Sequence, residues 1–268
     1  MADLLRRSLA PVGEEAWKLI DDTAMRVLKA HLSARTVVDF RGPYGWDFAA
    51  VNLGHLQVGQ EPGPGGAPWG LREVLPLVEV RIPFALSRWD IDFIARGAEV
   101  VNLDPVEEAA RKIALFEESA IYLGFTPGQI QGIVQHSSLE PLSLPQTAED
   151  YPRIVAEGVK RLSLAGTIGP FVLALGPAAY YGLAQSHPAG YPPSRVVREI
   201  LQGEILFSPA LDGGVLLSKA GSYFEMVVGQ DISIGYQDHD REKVHLFLTE
   251  SFTFRVLETD AAIELKKT

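Results

Sequence analysis

The chain has no cysteine in its 268 residues. That absence removes thiol catalysis, disulfide bridges and thiolate metal centres together, and it fits a reducing cytoplasm. Basic charge is also scarce. Lys and Arg number 24 against 34 Asp and Glu, for a formal net charge of −10. A protein that packages nucleic acid needs a basic face, so no nucleic-acid partner is expected. No apolar run is long enough to suggest a membrane partner. Residues 162–194 contain no Asp, Glu, Lys or Arg, but Gly166, Gly169, Pro170, Gly176 and Pro177 interrupt them. A spanning helix needs about 20 uninterrupted apolar residues. The segment reads instead as a buried strand over 171–175 followed by a short helix over 178–185. The opening MADLLRRSLAPVG has two arginines and no apolar h-region of useful length, which argues against a signal peptide.

Familiar catalytic patterns are missing as well. The six histidines are His31, His55, His136, His187, His239 and His245, and none falls at a metal-ligand spacing. There is no Gly-x-Ser-x-Gly elbow and no phosphate loop. Asp238, His239 and Asp240 read as a solvated turn, with a divalent-cation site as the alternative. Glu107, Glu108, Glu117 and Glu118 lie on one helix and read as its solvated face. With no nucleophile beside a positioned base, the expectation is a structural protein and not an enzyme, with no cofactor required.

What is present is apolar surface. Hydrophobic residues make up 47% of the chain and charged ones 22%, enough for one large domain or two modest ones. Residues 13–34 form an amphipathic helix on the spacing of Trp17, Ile20, Ala24, Val27, Leu28 and His31. A short apolar arm with Leu4, Leu5 and Leu9 precedes it. Residues 48–58 and 71–84 are extended on pattern. GQEPGPGGAPWG lies between them, with five Gly and three Pro in residues 59–70. The result is a long two-stranded ribbon with a flexible tip. Such a ribbon is marginal alone in water and needs another surface to lie on.

Residues 87–97 read as a short helix capped by Ser87. Residues 104–124 read as the strongest helix, with Asp104 as N-cap, Pro105 at N1 and Gly124 as the stop. An α+β unit follows over 131–220. Strands at 224–228, 245–249 and 253–257 close the chain. Trp89, at the start of the short helix, offers an exposed face for subunit packing or for stacking on a flat ligand such as a flavin.

Several segments, taken in order, resemble the encapsulin shell-protein family. They are LLRRSLAPV, ARTVVDFRGPYGWDFAAVNLG, LPLVEVRIPFALSRWDID, RGAEVVNLDPVEEAARKIALFEESAIYLG and VGQDISIGYQDHDREKVHLFLTESFTF. The combination of RGPYGW, GQD-SIGY and E-FTF is specific, and the likeness covers nearly the whole chain. It implies an α+β, HK97 phage capsid-like fold. A peripheral domain would be built from 1–46 (arm and first helix), 85–130 (spine helix) and 221–268. An axial domain would occupy 131–220, and 47–84 would be the extended two-stranded loop. It also implies a protein that self-assembles into an icosahedral nanocompartment in the cytoplasm. The enclosed cargo would be a ferritin-like iron-storage protein or a dye-decolourising peroxidase, captured by a C-terminal targeting peptide.

The residues expected to hold that peptide are Leu28, Leu32, Arg35, Asp39, Ile232, Ile234 and Tyr236. Arg35 and Asp39 have an alternative role as a salt bridge closing the helix-to-strand turn. Gln185, Ser186, His187, Pro188, Ala189 and Gly190 match the five-fold pore loop. His187 is the only titratable side chain there. Two other readings stay open at this point, a hydrolase or bacteriocin-like factor and the major capsid protein of a prophage.

Overall fold

The computed structural model describes residues 3–184 and 191–267. The pore-loop expectation, Gln185 to Gly190, lies outside the described residues. Among those described there are two five-stranded sheets and two apolar cores: the first core covers the first sheet and one face of the second, the second core fills the other face of the second sheet, and a two-stranded ribbon pairs with neither sheet.

The first core begins with helix α1 (Glu14–His31). Ala16, Ile20, Thr23, Ala24 and Val27 are buried at three- and four-residue steps, so one face docks and the other stays wet. A tight turn leads to strand β1 (Asp39–Arg41). The ribbon follows as β2 (Ala50–Val58) and β3 (Gly70–Pro76), paired antiparallel with a register irregularity between Asn52 and Leu56. Beyond Pro76 the chain leaves the ribbon. Strand β4 (Val78–Ser87) enters the main sheet, where it pairs with a later strand over Lys243 to Phe252. The ribbon therefore ends about eight residues before the expected boundary at 84. Alternation alone does not say which partner an extended segment takes.

Helix α2 (Arg88–Ala95) starts where the Ser87 hydroxyl accepts the Trp89 N–H, as its sequence predicts. Helix α3 (Asp104–Tyr122) is capped differently from the expectation. Asn102 Oδ1 accepts the Asp104 N–H, and Asp104 itself lies in the first turn, where its charge favours the macrodipole. Gly124 ends the helix at φ +92°, and a Cβ there would meet Gln135 Oε1 at 2.3 Å.

A short helix α4 (Ile133–His136) packs on the first core; the second sheet and its helices follow as strand β5 (Leu142–Ser143), helix α5 (Tyr151–Leu164), strand β6 (Phe171–Leu175), helices α6 (Pro177–Ala184) and α7 (Pro193–Leu201), and strands β7 (Ile205–Phe207) and β8 (Gly214–Ser218). Strand β6 is buried at every position, as a charge-free FVLAL run requires. The chain then returns to the first sheet as β9 (Phe224–Val228), β10 (Ser233–His239) and β11 (Lys243–Val256). The expected strands at 245–249 and 253–257 are one 14-residue strand. β11 pairs with β4 over Lys243 to Phe252, with β10 over its first half and with β9 over its last five residues.

The last strand, β12 (Ala262–Lys266), does not close the first sheet. It sits between β5 and β8 in the second, so the segment 221–268 is divided between the two cores. Its AIELK pattern carries no mark of which sheet will receive it. No described helix is long and apolar enough to cross a membrane.

Candidate functional site

Strand β10 sits at an edge of the first sheet, with β11 on one side. The N-terminal arm reaches its other side, where Leu5 O accepts the Tyr236 N–H at 2.8 Å. The arm is fixed by Arg7, whose guanidinium grips Asp21 of α1 at 2.7 and 3.1 Å and stacks 4.0 Å from the Trp17 ring. Between the arm, α1 and β10 runs a groove of about 300 Å³. Leu28, Ile232 and Ile234, all expected from the sequence, line it together with Leu5, Met25 and Leu248. Its polar edge is the Arg7–Asp21 pair and Ser233. Met25 is 50% exposed, a flexible apolar side chain suited to packing against varied surfaces. It lies off the buried stripe of α1, and that unpartnered position was the signal available in the sequence. Leu5 and Arg7 carried no such signal, because an arm's docking site is invisible to periodicity.

The other expected residues have different surroundings. Leu32 and Tyr236 are outside the groove's lining, and Tyr236 bonds its hydroxyl to His239 Nδ1 at 2.6 Å. Asp39 is exposed at the start of β1. Arg35 forms no salt bridge with Asp39. Its Nε and Nη2 clasp Glu117 at 2.6 to 3.0 Å, Nη2 also reaches Glu250 Oε1 at 2.7 Å, and Nη1 reaches Asp231 Oδ1 at 2.9 Å. Arg35 thus ties the end of α1 to α3, to β11 and to the loop that opens β10. Burial works against its charge, but the bonds to Glu117 and the nearby Glu250 and Asp231 carboxylates hold it firmly protonated. Burial, with Glu117 close by, raises Glu250 well above the ordinary carboxylate range.

The solvated-face reading of α3 is corrected here. Glu107 and Glu108 pair with Arg26, Arg111 and Lys112 near the surface, whereas Glu117 and Glu118 are fully buried. Eleven residues are three turns, so Glu118 does share a face with Glu107. That face is open at one end of the helix and covered at the other. Glu118 accepts bonds from the Ala34 N–H and from the Ser33 and Ser208 hydroxyls, each at 2.6 Å. Ser208 follows β7, so this carboxyl links the two cores. Burial pushes it up to about 7, against the hydrogen bonds that favour its charge.

Trp89 is 64% exposed, with the Phe93 ring 6.4 Å away. Asp238 and His239 end strand β10 where a turn was expected, though both are solvated; Asp240, next in the chain, accepts the Glu242 and Lys243 N–H groups, and these bonds lower its carboxyl to about 2. Among the described residues, no group of three or more His, Asp or Glu is placed to hold a metal ion.

A long spine helix, a ribbon projecting from the body and a second sheet carried beside the first define a capsid-type protein. Solved structures share this architecture. The virus-like particle from Pyrococcus furiosus matches with a TM-score of 0.65 at 15% identity, over 93% of this chain and 98% of that one. The capsid of Myoviridae phage XM1 matches with a TM-score of 0.55 at 13% identity, over 89% and 92%. The fold is the HK97-like α+β fold. The family model Linocin_M18, described as "Encapsulating protein for peroxidase", matches residues 2–253. The type 1 encapsulin shell protein of Rhodospirillum rubrum is 42% identical over 99% of this chain and 97% of that protein. The chain belongs to the encapsulin shell-protein family, which is structural and not catalytic.

Proposed function

We propose that the chain assembles with copies of itself into a closed icosahedral compartment in the cytoplasm, and that the groove between α1 and β10 captures cargo enzymes by a C-terminal targeting peptide. The observation that carries the assembly reading is the ribbon. Leu56, Val58, Trp69 and Leu71 are each more than half exposed on it. Leu56 and Val58 point to one face and Leu71 to the other. Two apolar faces on an otherwise marginal ribbon call for a neighbouring subunit. In this reading the first sheet with its helices is the peripheral domain and the second sheet with its helices is the axial domain.

The groove supports capture because it is apolar, narrow and edged by one ion pair, as a site for an extended peptide with aliphatic anchors should be. Ferritin-like iron-storage proteins and dye-decolourising peroxidases are the cargo classes that fit the family. The shell role requires no cofactor. Trp89 offers a flat exposed face to a flavin, and flavin fluorescence of purified shells reads that directly.

The test co-expresses the shell with a fluorescent reporter carrying the C-terminal tail of a dye-decolourising peroxidase. We expect co-sedimentation with wild-type shells and a loss of roughly tenfold or more with Leu28→Asp, since a buried charge in an apolar groove has no partner. Equal loading of that variant would refute the groove assignment. A chain that sediments as a monomer in every buffer would refute assembly.

A further inference from the structure

A cavity of about 590 Å³ lies in the second core and has no part in the peptide groove. It opens between the segment leading into α5, the start of α6 and the end of the chain at Lys267. Its volume falls in the range of small-molecule sites. Leu144, Pro145 and Ala148 give it an apolar wall, and three kinds of donor converge on it.

The first donor is the N-terminus of α6. Pro177 has no N–H and the Tyr180 N–H already bonds Gly176 O, which leaves the Ala178 and Ala179 N–H groups without helical acceptors. Both residues line the cavity. The second is Tyr151. It is only 3% exposed and lines the cavity, yet its hydroxyl has no hydrogen-bond partner among the described residues. Burial raises this phenol to about 12, so it keeps its proton and remains a donor. The third is Lys267, which lines the cavity and whose ammonium is held only loosely by Asp212 at 3.6 Å. The nearby acid Asp150 is engaged elsewhere, accepting the Thr147 hydroxyl at 2.9 Å and facing Arg153.

Donors without acceptors, a cation and an apolar wall select one chemistry. We infer that this cavity is a binding site for a small organic anion, with its carboxylate or phosphate at the α6 N-terminus, Tyr151 and Lys267, and its apolar body against Leu144 and Pro145. The site is independent of cargo capture.

The experiment titrates purified full-length protein calorimetrically with octanoate, octyl phosphate and the neutral octan-1-ol. Saturable binding of one or both anions, with octan-1-ol at least about tenfold weaker, is expected, since hydrogen bonds to a charged group exceed neutral ones. The two anions separate a carboxylate site from a phosphate site. Tyr151→Phe should weaken anion binding roughly tenfold. Gly182→Phe is the blocking variant. Nothing lies within 4 Å of a Cβ built there and its backbone is unstrained, so a ring enters the cavity without displacing the fold. Sedimentation of that variant should match wild type while binding disappears. Absence of saturable binding, equal affinity for octan-1-ol, or unchanged affinity in Gly182→Phe would each overturn the assignment.

Discussion

One guanidinium faces three carboxylates at the end of α1, and the consequences belong to single residues. Removing Arg35 leaves Glu117 and Glu250 buried with no cation, and breaking a buried pair from one side costs about 3–5 kcal/mol. We expect Arg35→Met to lower the chemical-unfolding midpoint strongly, and Glu250→Gln in the same background to recover part of the loss by removing one orphaned charge. No recovery would mean that Glu250 is already neutral at the pH used. Glu118 adds a pH dependence. Its carboxyl rises from 4.5 to about 7 on folding. Below the unfolded value both states are protonated and its contribution is complete. Between about 4.5 and 7 only the folded state holds the proton, so stability falls as pH rises, by about 3 kcal/mol in all. Glu118→Gln should flatten the unfolding midpoint over that window. An unchanged slope would mean that another group sets it.

Two elements depend on what they touch more than on their own sequence. The arm supplies one wall of the groove through Leu5 and Arg7. Deleting residues 4–9 should therefore abolish reporter loading while leaving the folded body intact, as read by circular dichroism. Deleting residues 62–67 shortens the ribbon tip, where Trp69 bonds Glu61 O at 3.0 Å. That cut should shift sedimentation towards small oligomers, and unaltered shells would contradict the ribbon's role. The same dependence explains what could be read in advance. α1, α3 and β6 were legible because each buries a face or a run set by its own spacing. Of the groove's aliphatic residues, Leu28, Ile232 and Ile234 were expected, and Leu5 and Leu248 were not. The fate of β4 and β12, the union of two expected strands into β11, and the burial of Glu117 and Glu118 were not legible. Each is decided by a partner tens to hundreds of residues away, and period carries no record of that partner. Arg35 was expected in the peptide site or paired with Asp39, and its partners Glu117 and Glu250 sit 82 and 215 residues downstream.

At the scale of the whole molecule the deficit of basic residues becomes a force. Each protomer carries a formal charge of −10, so bringing many together opposes itself electrostatically. The attraction available to offset this is apolar, from the ribbon and other exposed side chains such as Leu9 and Val100, and that attraction does not weaken with modest salt. Raising ionic strength from about 10 mM to about 150 mM shortens the screening length from roughly 30 Å to roughly 8 Å. Repulsion between neighbouring protomers should fade while the apolar contacts persist. We therefore expect the assembled fraction, measured by sedimentation at fixed protein concentration, to rise across that range. Contacts dominated by ion pairs between subunits would give the opposite trend, because the same screening would weaken them. Repeating the series with the 62–67 deletion separates the two contributions. If the ribbon supplies the apolar attraction, the shortened chain should need more salt than wild type to reach the same assembled fraction, and equal curves would assign the attraction to another surface.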